Sequence, residues 1–90
     1  MEISFDSEKR SWTLENRSLD FADTAKVFAG RKLEFPDIRQ DYGEERMITV
    51  GLLDERMVVI VWTKRDSARR IISLRKANDR EQRKFRQRLS

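Results

Sequence analysis

The sequence predicts an α+β fold: a short N-terminal strand, two helices, an antiparallel sheet of about four strands and a C-terminal helix. Three observations predict it. Residues 7–29 carry apolar side chains at helical spacing. Residues 32–75 carry alternating or continuous apolar runs punctuated by turn residues. Residues 78–90 return to helical spacing. Two helices ahead of a hairpin-connected sheet pack on one sheet face, which leaves the other to the last helix or to a partner.

Ile3 and Phe5 alternate with polar neighbours and form the short first strand. Asp6 is placed to cap a helix over roughly Ser7 to Arg17, with Trp12 as its apolar anchor. Asp20 caps a second helix whose Phe21, Ala25, Phe28 and Ala29 share a face, and Gly30 falls just past its end, where a left-handed residue is often needed. Leu33 and Phe35 alternate in a strand that begins near Lys32 and is interrupted by Pro36. The polar, acidic residues 37–45 read as a loop. Asp37, Asp41, Glu44 and Glu45 lack a histidine companion, so a loop is a better reading than a metal cluster.

Arg46, Ile48, Val50 and Leu52 share one face of the next strand, and Asp54-Glu55 makes a tight turn. Met57 to Trp62 is apolar and rich in β-branched residues, which predicts a central strand covered on both faces. A polar turn over residues 64–68 leads into a strand around Ile71, Ile72 and Leu74. Asn78 and Glu81 have the spacing of a capping box, and the helix they start carries Phe85 and Leu89 on its apolar side.

The 90 residues predict one domain, 1–90. The chain has no cysteine and no histidine, which excludes disulfides, thiolate nucleophiles, an imidazole base and the usual zinc sites. The longest apolar run, Met57 to Trp62, is too short to span a bilayer, and Met1 to Asp6 lacks a signal-peptide layout. A cytoplasmic protein is the expectation. Charge is unevenly placed: residues 1–63 are net −4 and residues 64–90 net +8. Such asymmetry points to a polyanionic partner, either nucleic acid or an acidic protein segment.

Particular residues then narrow the choice. They are Phe5-Asp6, Lys9 and Asn16; Phe21, Ala22, Ala25, Val27 and Phe28; Gly43-Glu44-Glu45-Arg46 with Ile48, Val50 and Gly51; Arg56; Val61-Trp62-Thr63 with Arg65; and Arg70-Ile71-Ile72-Ser73-Leu74-Arg75-Lys76-Ala77 with Glu81 and Phe85. In this order and spacing the chain resembles the BrnT family. Two positions depart from that pattern. Arg17-Ser18-Leu19 stands where the family has Lys-His-Gly, and Phe85 where it commonly has Tyr. The resemblance implies a RelE-like fold and an RNA-cleaving toxin that arrests translation. It also implies neutralisation by a BrnA-type antitoxin, a ribbon-helix-helix DNA-binding protein, in a heterotetramer of two toxins and two antitoxins.

Cofactor-free RNA cleavage fits the residue types present. The substrate's own 2′-hydroxyl attacks the phosphate, and the protein orients that phosphate and offsets its charge. Arginine forks pair with phosphate oxygens, and lysine offsets charge. The expected catalytic group is Arg75, Lys76, Arg70 and Arg46, with Arg75 and Lys76 ranked first because the last strand there gives way to the last helix. Arg65, Arg80, Trp62 and Lys64 are the expected RNA-binding residues, although Trp62 reads equally well as core. Glu44, Glu45 and Glu81 are the carboxylates available as general base. Arg56 reads as a structural ion-pair partner, and Trp12, Phe21, Phe28 and Phe85 as core. The competing readings are a non-catalytic RNA- or DNA-binding domain and a protein-interaction domain with a basic helix.

Overall fold

In the computed structural model, which describes residues 1–90, five strands form one sheet. They are β1 (Glu2–Phe5), β2 (Lys32–Pro36), β3 (Met47–Leu53), β4 (Arg56–Arg65) and β5 (Ala68–Lys76). Helices α1 (Ser7–Arg17), α2 (Thr24–Ala29) and α3 (Asp79–Leu89) complete the fold, with a 3₁₀ turn over Phe21–Asp23 before α2. The spatial order is β1-β5-β4-β3-β2. β2 to β5 pair antiparallel as expected. β1 joins the edge parallel to β5, so the sheet is mixed and has five strands.

The local signals explain these elements. The Asp6 carboxylate accepts from the Glu8 and Lys9 amides and starts α1; Ser18, in the left-handed region, ends it. Asp54 and Glu55 both have positive φ, as a two-residue hairpin turn between twisted strands requires. Asn78 and Glu81 form a complete capping box at α3.

The sheet separates two cores. On one face Leu19, Phe21, Val27 and Phe28 pack over Leu53, Val58, Ile60, Trp62, Ile71 and Leu74. On the other, Phe85 and Leu89 of α3 pack over Val50, Met57 and Val59. α3 lies over β2 and β3, so the β5–β1 side of its face stays open.

Four local expectations are corrected. Trp12 is not an anchor: α1 faces the protein through buried Thr13, and Trp12 is 54% exposed. The 3₁₀ turn rotates the next helix, so α2 buries Thr24, Val27 and Phe28 while Ala25 and Ala29 face solvent. Gly30 is extended, not left-handed. Arg56 takes no part in an ion pair.

Candidate functional site

A bulge decides which basic residues share a surface. Val61 pairs with Ser73 and Trp62 with Ile71, which leaves Ile72 as an extra residue in β5. Side chains alternate along a strand, so residues an odd number apart normally face opposite ways. The extra residue resets that alternation. Arg70 (opposite Thr63), Ser73 (opposite Val61) and Arg75 (opposite Val59) therefore stand on the α3 face together. Ser4 faces the same way, beside Arg70 in the parallel pair. Arg69, Ile71, Leu74 and Lys76 point to the α1–α2 face.

The resulting surface is a half-sheet of arginines and hydroxyls. Arg46, just before β3, alternates onto the α3 face with Ile48, and Arg65, opposite Ala68, joins it. Arg46 lies 4.0 Å from the Tyr42 ring centroid, and its Nε is 3.8 Å from Glu44 Oε1. Arg65 Nη2 is 3.4 Å from Glu44 Oε2, so one carboxylate stands between two guanidiniums. The Thr63 hydroxyl donates to the Glu45 carbonyl at 2.7 Å and ties the loop to the strand.

Arg75 holds Glu81 through two hydrogen bonds of 2.8 and 2.9 Å, while Glu81 also accepts the Asn78 amide. This fork holds the Glu81 carboxyl below its ordinary range, with the Asn78 amide adding to the effect. Arg39, whose charge reaches both partners, is a member of this surface that the sequence reading did not single out. It sits in the polar loop and forks onto buried Asp37 with two bonds of 2.7 Å, a pairing that i,i+2 spacing does not announce.

Arg70 differs from all of these. It is half-buried and makes no side-chain hydrogen bond or ion pair. Asp6 feels its charge: the Lys9 and Glu8 amides lower that carboxyl most, and Arg70 adds to the shift. An unpaired guanidinium flanked by Ser4, Ser73 and Thr63 is free to take an external anion with its full fork.

The other expected site residues lie elsewhere. Trp62 is 7% exposed in the core beneath α2; its Nε1 donates to Thr49 Oγ1 at 2.8 Å, and Thr49 donates to Glu34 at 2.7 Å. Arg69 covers that assembly, 4.0 Å from the Phe28 ring centroid and 4.9 Å from that of Trp62. Lys64 is exposed and faces the α1–α2 side. Lys76 alternates onto the α1–α2 face and, at the strand end, borders a groove of about 340 Å³ beside α3, with Leu52, Met57, Gln82 and Leu89. Arg80 is exposed on the first turn of α3. Of the expected group, the α3 face thus brings together Arg46, Arg65, Arg70 and Arg75, and separates Lys76, Lys64 and Trp62 from them. Arg75 and Lys76 are adjacent in β5 with no bulge between them, so they face opposite sides of the sheet.

Residues 5–81 match the family described as ribonuclease toxin, BrnT, of type II toxin-antitoxin system. The chain belongs to the BrnT family. The BrnT match runs from the end of β1 into the first turn of α3, and so spans Arg39, Arg46, Arg70, Arg75 and Glu81. Membership makes it a ribonuclease toxin with a protein antitoxin as partner. No curated protein matches the chain. No helix of this BrnT member is long and apolar enough to cross a membrane.

Proposed function

We propose that this toxin is a metal-independent endoribonuclease that cleaves RNA on the open half of the α3 sheet face and thereby blocks translation. The observation that supports this reading most is the unpaired Arg70 on the same face as Arg75, Arg46 and Arg65. Arg70 grips the scissile phosphate, and Arg46 and Arg75 offset charge on its oxygens as the substrate 2′-hydroxyl attacks. The 2′-hydroxyl gives its proton to water as its oxygen bonds to phosphorus, the bond from phosphorus to the 5′-oxygen breaks, and that oxygen takes a proton from water to leave as a 5′-hydroxyl beside a 2′,3′-cyclic phosphate. Glu44 and Glu81 are both held by arginines, which makes them positioning groups for those cations rather than proton acceptors.

The partner under this reading is a BrnA-type ribbon-helix-helix antitoxin in a two-to-two heterotetramer, and the setting is the cytoplasm. Expression without the antitoxin arrests growth, and the purified protein cleaves RNA in EDTA to leave 2′,3′-cyclic ends. RNA that stays whole after incubation contradicts the enzyme reading and favours a binding domain. Activity only with a divalent ion contradicts the metal-free step.

A further inference from the structure

The edge of β5 is only half covered by β1. β1 pairs with residues Ala68 to Ile71, so residues 72–76 have no neighbouring strand on that side. α1 lies there instead, and Arg17 Nη1 donates to the Leu74 carbonyl at 2.9 Å. A groove of about 200 Å³ lies between them, lined by Lys9, Trp12, Arg17, Ile72 and Ser73 among others. Ser73 belongs to both surfaces: it faces α3 with Arg70 and Arg75, and it lines this groove.

Trp12 is the largest exposed feature of the groove, a residue 54% accessible. Leaving that much ring in water forgoes the stabilisation burial would bring. One cation also lies against the ring. Arg17, anchored on the Leu74 carbonyl, sets its guanidinium carbon 5.1 Å from the indole centroid. A ring braced by an anchored cation loses little freedom when a second flat group arrives.

We propose that Trp12 is a stacking platform for one nucleobase of single-stranded RNA, placed beside the phosphate held by Arg70 and Arg75. The inference rests on the RNA-cleavage reading and extends it to a base subsite. Two observations favour RNA over a protein anchor. The groove carries the cations Lys9 and Arg17 and no carboxylate, and Ser73 on its rim lies in the strand that also carries Arg70 and Arg75. Every base offers a π-face, so such a platform adds affinity with little sequence selectivity.

The test uses the whole chain and a short 2′-O-methyl oligoribonucleotide, which lacks the attacking hydroxyl. Trp12→Ala weakens binding roughly tenfold, the scale of one lost base stack, and leaves the salt dependence of affinity unchanged because no phosphate contact is lost. Trp12→Phe recovers most of the affinity, which a merely structural defect would not allow. Binding also quenches Trp12 fluorescence. Arg70→Ala, in contrast, flattens the salt dependence. Wild-type affinity in Trp12→Ala beside a flattened slope in Arg70→Ala overturns the base subsite and leaves the RNA reading standing. Loss of antitoxin binding with unchanged RNA affinity in Trp12→Ala overturns it in favour of a protein contact. Unchanged behaviour in both variants overturns both readings.

Discussion

Arg75 and Glu81 form a two-bond fork across the junction of β5 and α3, with Nη1–Oε1 at 2.8 Å and Nη2–Oε2 at 2.9 Å. The same carboxylate completes the capping box by accepting the Asn78 amide. The fork therefore serves the helix start and restrains a guanidinium of the candidate site. Glu81→Gln keeps an acceptor for the Asn78 amide but releases the charge on Arg75. Expected stability loss is about 0.5–1 kcal/mol, because the pair is partly solvated. RNA affinity rises, and its salt slope steepens by up to roughly 0.7, because the Glu81 charge no longer offsets a cation that meets phosphate. Salt titration of oligonucleotide binding measures this, and an unchanged slope contradicts a phosphate role for Arg75.

Gly51 tests the packing of α2 on the sheet. A Cβ there would stand 2.5 Å from Val27 Cγ1, inside van der Waals contact. Gly51→Ala is expected to cost about 1–3 kcal/mol through overpacking, despite the gain in chain stiffness. Adding Val27→Ala makes the two changes non-additive, since the second removes the clash made by the first. Urea unfolding of the four proteins measures this coupling.

Acid stability follows from two buried or half-buried carboxylates. The Arg39 fork holds the Asp37 carboxyl down to about 2, and the Arg10 fork does the same for Asp20. A folded-state value below the unfolded value of about 4 means the stabilisation is fully present above pH ~4 and is lost as pH falls toward 2. Stability is thus expected to drop steeply over that window. Asp37→Asn lowers stability at neutral pH and makes the drop shallower. Urea midpoints measured from pH 2 to pH 7 check both statements; an equally steep drop in the variant contradicts the assignment.

Much of the fold was legible because its signals are local. Asp6, the Asp54-Glu55 turn, the apolar run into Trp62 and the Asn78–Glu81 pair each act through a few neighbouring residues. The site was harder to read because its geometry depends on one unannounced residue. Without the bulge at Ile72, simple alternation puts Arg70 and Arg75 on opposite faces; with it they converge, and Lys76 turns away. Trp12 misled for a related reason. Large apolar residues are usually buried, but α1 meets the sheet edge one position over, at Thr13. Arg39 was overlooked because its partner Asp37 sits in a stretch whose composition says only loop.

The central claim is that Arg70, unpaired on the open half of the α3 face, grips the phosphate that is cleaved. Arg70→Ala removes no side-chain hydrogen bond or ion pair, so its unfolding midpoint should lie close to that of wild type. The most direct measurement is RNA cleavage by folded Arg70→Ala beside folded Lys76→Ala. The account predicts a loss of roughly a hundredfold or more in the first, on the scale of one removed transition-state donor, and near wild-type cleavage in the second. Retained cleavage in Arg70→Ala with loss in Lys76→Ala would contradict it.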